Sequence, residues 1–202
     1  MTEGEKALAG MEFIKGDPEL QKMRERAESI CFRFNHTPPE EGEKRRMLLR
    51  ELIPDMGEGC TVKPPFLCDY GDFIHMGRNV FVNYGCKLVD GGAIRIGNDV
   101  LIGPGCTIVT ANHAVDPDKR KAGYMRLKPV TIGDNVWIGA GVTICPGVTI
   151  GKDSVIGAGS VVVKDIPEGS VAVGNPCKVI GKASEKEFQK KMKKGVDKRR
   201  MV

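Results

Sequence analysis

The chain has 202 residues, a net charge of +5, 26 glycines and only 11 aromatic side chains. With 41% hydrophobic residues and so small a net charge, wholesale disorder is excluded, and glycine without a three-residue period excludes collagen. The first residues lack an apolar stretch of signal-peptide length, and no run approaches the roughly 18 apolar residues of a membrane helix. The expectation is a soluble, cytoplasmic protein whose core is built from small and branched side chains.

In chain order, residues 1–55 are rich in charge and read as a helical cap. Asp17-Pro18 fits an N-cap followed by proline at the first helical position. Ala27, Ile30, Cys31 and Phe34 give an apolar stripe at helical spacing. A second helix, from about Glu40 to Leu52, carries Met47, Leu48 and Leu52 before Pro54.

Residues 56–180 carry a period of six. From Ile132 an aliphatic recurs at Ile138, Ile144, Ile150, Ile156 and Val162, and glycine follows directly at Gly133, Gly139, Gly151 and Gly157. Small or branched residues stand four positions after the aliphatics, at Val136, Val142, Val148, Ser154 and Ser160. Earlier blocks run Met76, Val82, Leu88, Ile94 and then Ile96, Ile102, Ile108, with a two-residue register break between Ile94 and Ile96. A period of six is neither a helix nor a simple alternating strand. It predicts short strands joined by sharp turns and stacked as a solenoid, each coil pairing its backbone with the coils above and below. A narrow prism has room for Ile and Val and little for Phe, which accounts for the scarcity of rings.

The hexads stop over 110–130, where Gly123 is the only glycine. This segment reads as a loop that leaves the prism and returns in register, and long loops on rigid scaffolds often carry function. It holds Asn112 and His113. On loop context alone, His113 is either a surface histidine or a functional one. His36 and His75 read as structural, His75 facing outward beside Met76. A three-histidine zinc site would need all three, although His36 lies outside the repeat.

The seven cysteines are odd in number and irregularly spaced, which argues against a disulfide framework or a structural metal site. They read as small buried hydrophobes. Residues 178–202 hold ten Lys/Arg against three Asp/Glu. No aromatic platform accompanies this charge, so nucleic acid is not expected. A solvated tail helix and a basic rim for a phosphorylated small molecule both remain open.

Several strings resemble the maltose/galactoside O-acetyltransferase group of the hexapeptide-repeat acyltransferases. They are GDPEL (16–20), RFN (33–35), CDYG (68–71), IHMGRN (74–79), TANHAVDPDKR (110–120), KPVTIGDNVWIGAGVTICPGVTIG (128–151), IGAGSVVVKDIP (156–167) and GNPCKVI (174–180). The resemblance implies a mainly β protein, a left-handed parallel β-helix over 56–180 with a protruding loop at 110–130. An N-terminal helical cap (1–55) helps form the acceptor pocket, and a short basic C-terminal helix or tail (181–202) follows. It implies acetyl transfer from acetyl-CoA to a sugar hydroxyl, direct and without a metal, in a homotrimer with active sites between neighbouring solenoids.

The resemblance also implies roles for individual residues. His113 occupies the position of the family's catalytic histidine, where a neutral imidazole takes the hydroxyl proton as the new bond forms. Asn83 falls near both acceptor and acetyl group. Asp69, Asp90 and Met125 would contact the acceptor, although either aspartate also suits a turn cap. For acetyl-CoA the matching positions are Trp137, Ala140, Ala158, Val163, Lys164, Lys178 and Lys182. Ala140 would offer its backbone N–H to the thioester oxygen. The outward Trp137 suits a cofactor groove or a subunit interface. Lys15, Phe81, Gly91 and Gly181 depart from the galactoside pattern, which leaves the identity of the acceptor open. A non-sugar acceptor and a non-catalytic solenoid are the competing readings.

Overall fold

The computed structural model describes residues 1–184 and 186, so the helix or tail expected over 181–202 falls mostly outside the described residues. The chain begins with α1 (Glu3–Leu8), β1 (Phe13–Ile14), α2 (Pro18–His36) and α3 (Gly42–Leu52). Asp17 caps α2 as its sequence predicts. One carboxylate oxygen accepts the N–H groups of Glu19 and Leu20, and the other accepts Gly4 N–H at 2.9 Å. These bonds, that of Gly4 foremost, hold the Asp17 carboxyl below the usual carboxylate range.

The predicted stripe of α2 is buried, and α3 packs on it through Leu48, Leu49 and Leu52. Met47, expected on that face, is exposed instead, and Leu49 takes its place. Asn35 docks α2 onto the first coil. Its side chain donates to the Phe66 carbonyl at 2.9 Å and accepts the Phe66 N–H at 2.8 Å.

The solenoid follows as successive coils. They are β2 (Thr61–Val62) and β3 (Leu67–Cys68); β4 (Ile74–Met76), β5 (Phe81–Val82) and β6 (Lys87–Val89); and β7 (Ile94–Ile96), β8 (Leu101–Ile102) and β9 (Thr107–Val109). The chain then leaves the prism through β10 (Ala111–His113), α4 (Pro117–Lys121) and β11 (Tyr124–Leu127). It re-enters as β12 (Val130–Ile132), β13 (Trp137–Ile138) and β14 (Thr143–Ile144), then β15 (Thr149–Ile150), β16 (Val155–Ile156) and β17 (Val161–Val162). The last strands are β18 (Ser170–Val173) and β19 (Lys178–Lys182).

Three parallel faces result. The first holds β4, β7, β12 and β15; the second holds β2, β5, β8, β13, β16 and β18; the third holds β3, β6, β9, β14 and β17. β19 turns back antiparallel on β18 and edges the second face. Every hexad aliphatic from Met76 to Val162 is at most 4% exposed, so the period correctly marks the inward residues.

The register break has a simple cause. Val82 lies beside Ile102, 20 residues on, whereas Ile138 lies beside Ile156, 18 on. The early coils therefore carry two residues beyond three hexads. The extra residues sit at the corner between third and first faces, so that Ile94 and Ile96 both point inward around the outward Arg95. The protruding segment is inserted at that same corner one coil later.

Coils approach closely where glycine follows the aliphatic. A β-carbon on Gly139 would stand 2.6 Å from the Ala158 nitrogen. The seven cysteines are all free, four of them buried and three half-buried. Cys60, Cys86 and Cys106 fill the small hexad position and point their thiols at the carbonyls of Gly77, Gly103 and Gly139, at 3.1, 3.3 and 3.1 Å. Cys31 and Cys68 meet between cap and solenoid, with sulfurs 3.8 Å apart and both free.

Candidate functional site

The protruding segment is a built structure. β10 and β11 pair antiparallel with His113 opposite Met125, and β1 adds to the other edge of β11 with Phe13 opposite Met125. Thr110, fully buried at its base, accepts Gly92 N–H and donates to the Val89 carbonyl, both at 2.8 Å. Lys119 of α4 ties the far end to Glu12 at 2.9 Å, a pairing that raises the lysine's proton affinity. The first 16 residues, expected to be part of a helical cap, thus include a strand that completes the loop's small sheet.

One face of this sheet closes a cavity of about 620 Å³ against α2 and the corner turns at 69–71 and 89–91. Alternate residues of the three strands line it, among them Phe13, His113 and Met125, together with Lys15 just after β1. The His113 imidazole has no hydrogen-bond partner among the described residues and is exposed. From α2 come Arg24, Glu25 and Glu28, spaced to share a helical face. Arg24 donates to the Tyr70 hydroxyl at 2.7 Å, lies 3.9 Å from the Asp69 carboxylate and stands over the Tyr70 ring. Burial pushes the Asp69 carboxyl up, and the charge of Arg24 opposes that shift.

Of the acceptor positions implied by sequence, His113, Asp69 and Met125 line this cavity together, as do the departures Lys15 and Gly91. Asp90 does not, and its expected contact with acceptor hydroxyls is corrected here. It is 0% exposed, and its two carboxylate oxygens accept the N–H groups of Asp69, Tyr70 and Gly71 at 2.9, 2.9 and 2.7 Å. A carboxylate so enclosed and so occupied has no oxygen to offer a ligand. Burial still pushes the Asp90 carboxyl up to about 6, against the pull of those three bonds.

Asn83, Trp137, Ala140 and Ala158 lie elsewhere. Trp137 points outward from the second face, 56% exposed, in a column with Phe81, Leu101 and Val155. Ala140 and Ala158 lie on adjacent coils at the corner between second and third faces, and Asn83 lies at the same corner two coils before Ala140. The N–H groups of Ala140 and Ala158 find no partner among the described residues, although their neighbours Gly139, Gly141, Gly157 and Gly159 are all bonded. Val163 and Lys164 follow β17 at the third-to-first corner, and Lys178 and Lys182 sit on β19. The expected site residues thus fall into groups on different edges of one prism.

Sequence reasoning missed Arg24, Tyr70 and Phe13. Tyr70 lies inside the CDYG string, and Arg24 stands about two helical turns after the Asp17 cap of α2. Phe13 carried no signal, because a two-residue strand has no period. His36 and His75 are engaged locally, by the Phe32 carbonyl at 2.8 Å and the Asp55 carboxylate at 2.6 Å. Among the described residues no group of three His, Cys, Asp or Glu is arranged to hold a metal ion, and no helix is long and apolar enough to cross a membrane.

Comparison with known proteins gives the following. Residues 6–57 match the maltose acetyltransferase hexapeptide capping motif, and residues 129–164 match the bacterial transferase hexapeptide with six repeats. The chain is 44% identical over 183 residues to the galactoside O-acetyltransferase of Escherichia coli (strain K12), covering 91% of this chain and 90% of that one. A maltose O-acetyltransferase structure from Clostridium difficile 630 superposes with a TM-score of 0.89 at 49% identity, covering 92% of this chain and 99% of that one. A galactoside acetyltransferase structure in complex with coenzyme A superposes with a TM-score of 0.89 at 44% identity, covering 93% and 94%.

Proposed function

The chain belongs to the maltose and galactoside O-acetyltransferases of the hexapeptide-repeat family, and from that premise we propose that it transfers an acetyl group from acetyl-CoA to a hydroxyl of a sugar, with His113 as general base. The observation that carries this reading is the cavity in which His113 shares a face with Met125 opposite the polar wall of Arg24, Asp69 and Tyr70. Such a wall suits a hydroxyl-rich ligand, and the size falls within the usual range for small-molecule sites.

The chemistry is a direct displacement. The acceptor oxygen attacks the thioester carbonyl while the imidazole takes its proton. The C–S bond then breaks, and the proton passes to the departing thiolate. No step calls for a metal or an acyl-enzyme. The unpaired N–H of Ala140 suits the developing oxyanion, and that of Ala158 a carbonyl of the pantetheine arm. Lys164, Lys178 and Lys182 are the positions proposed to meet the coenzyme's phosphates.

A second copy completes the site in this reading. His113 and Ala140 belong to different edges of one prism, so the two edges meet when neighbouring solenoids pack side by side. The exposed apolar column through Leu101 and Trp137 gives such packing a surface to bury. Trp137→Glu is expected to convert a trimer to monomers in sedimentation and to abolish turnover. A trimer that persists with full activity removes Trp137 from the interface.

The function itself is tested by acetyl-CoA-dependent thiol release against a panel of sugars. Release with a galactoside or a maltose-type sugar, and none without an acceptor, is the expected result. Tight acetyl-CoA binding without release on any sugar overturns the sugar reading.

A further inference from the structure

The wall that Asp69 and Tyr70 present to the cavity is a short turn between the third and first faces, closed locally by one backbone bond, from Ile74 N–H to the Gly71 carbonyl at 3.1 Å. Gly71 in it has φ of +80°, a conformation that suits glycine, and lies against the Leu52 carbonyl at the end of α3. Three consecutive N–H groups of the turn, at 69, 70 and 71, converge on one carboxylate from the next coil, that of Asp90. Asp90 itself is fully buried, so these bonds form without competition from water.

We propose that Asp90 is a positioning residue of the acceptor site: its ionised carboxylate holds the 69–71 turn so that Asp69 and Tyr70 face the acceptor, and protonating it loosens acceptor binding while leaving acetyl-CoA binding intact. This rests on the sugar O-acetyltransferase reading above.

The chemistry is that of charge and acceptor strength. The ionised carboxylate offers only acceptors, and three of them take the N–H groups of the turn as charge-assisted bonds. Once protonated, the carboxyl loses its charge and gives one acceptor site to a buried O–H, so its hold on the three N–H groups weakens. With its carboxyl pushed up to about 6, Asp90 changes state just below neutral pH. The ionisable groups around it are Cys31 of α2 and Cys68, Asp69 and Tyr70 of the neighbouring coil, with Arg24 beyond Asp69. The contact with the Cys31 thiol, and then burial, push Cys68 up, and burial pushes Tyr70 up, both away from this window. Asp69 is raised as well and needs its own control.

The test uses the full chain with maltose and methyl β-galactoside as acceptor probes. Asp90→Asn keeps the shape but puts an amide donor among the three N–H groups. Its acceptor KM is expected to rise about 10–100-fold, the scale of one lost bond to a charged group. Its kcat and acetyl-CoA KM are expected to stay within about twofold, since the 69–71 turn faces the acceptor side. Equal losses for both substrates, or an unchanged acceptor KM, overturn the proposal.

The pH arm avoids the titration of the base by using His113→Ala and measuring acceptor binding by calorimetry. Affinity is expected to fall as pH drops through about 6, to fall likewise when Asp69→Asn is added, and to lose the dependence when Asp90→Asn is added. A flat acceptor affinity between pH 7.5 and 5 overturns the proposal even if Asp90→Asn fails to fold. A wild-type chain that acetylates no sugar overturns the functional reading and this one with it, whereas an active wild type with an unaltered Asp90→Asn variant overturns only this one.

Discussion

His113→Ala is expected to lower acetyl transfer by about 10²–10⁴-fold, the range that general-base assistance supplies. An alcohol is a poor nucleophile toward a thioester, and removing its proton during attack lowers the barrier. That loss corresponds to about 3–5 kcal/mol of transition-state stabilisation. The protein itself should not register the change. His113 is exposed on the edge strand β10, its imidazole has no partner among the described residues, and its backbone pairing with Met125 does not depend on the side chain. The unfolding midpoint and acetyl-CoA affinity are therefore expected to match the wild type, since surface substitutions of this kind stay within about 0.5 kcal/mol. Turnover near the wild-type rate removes His113 as the base. A large fall in thermal stability would make the loss structural.

Ile138→Ala is expected to destabilise the fold by about 2–5 kcal/mol. Ile138 is 0% exposed and stacks in register between Ile102 and Ile156 on the second face. In many cores a truncated side chain lets its neighbours relax inward. The solenoid resists this, because the coils above and below are fixed by parallel backbone bonds at Trp137, Gly139 and Gly103. The cavity stays open and its full cost appears. For a chain of this size the melting temperature is expected to fall by about 4–20 °C. Val115→Ala, at a loop residue 93% exposed, is the comparison that should leave it unchanged. An Ile138→Ala variant as stable as that one would mean that the prism interior is more plastic than its register implies.

Much of the fold was legible because a hexad is a local code. The aliphatic marks the inward position, the glycine marks where coils touch, and the aliphatic together with the small residue four positions on names nearly every core residue from Met76 to Val162. Where the reading slipped, the reason is specific. Ile94 and Ile96 look like a break in period but are both inward, because a longer corner realigns the strand. Met47 and Leu49 differ by two positions on a helix, and only contact with α2 decides which one is covered. Asp90 reads like any acid in a turn. The letter does not say whether its oxygens face a cavity or three converging N–H groups.

The candidate site was legible in part. His113 could be singled out because it stands where the repeat fails, Asp69 by the CDYG string that holds it, and Met125 only by its place in the protruding loop. The strand at Phe13 and the arginine at position 24 could not. β1 meets β11 more than 100 residues away, and no short-range pattern encodes that pairing.

The sequence by itself determined the solenoid, its inward face, its interruption and the class of chemistry its strings resemble. It could do so because each hexad pairs its backbone with the coils above and below and buries its aliphatic by the same repeated geometry. Only the tertiary structure decided which side chains share the cavity, that Asp90 supports its wall instead of contacting its contents, and that His113 and Ala140 stand on different edges. Those outcomes depend on which distant segments close over one another and which buried polar groups they satisfy. That is a property of the packed chain, with no counterpart in any one repeat.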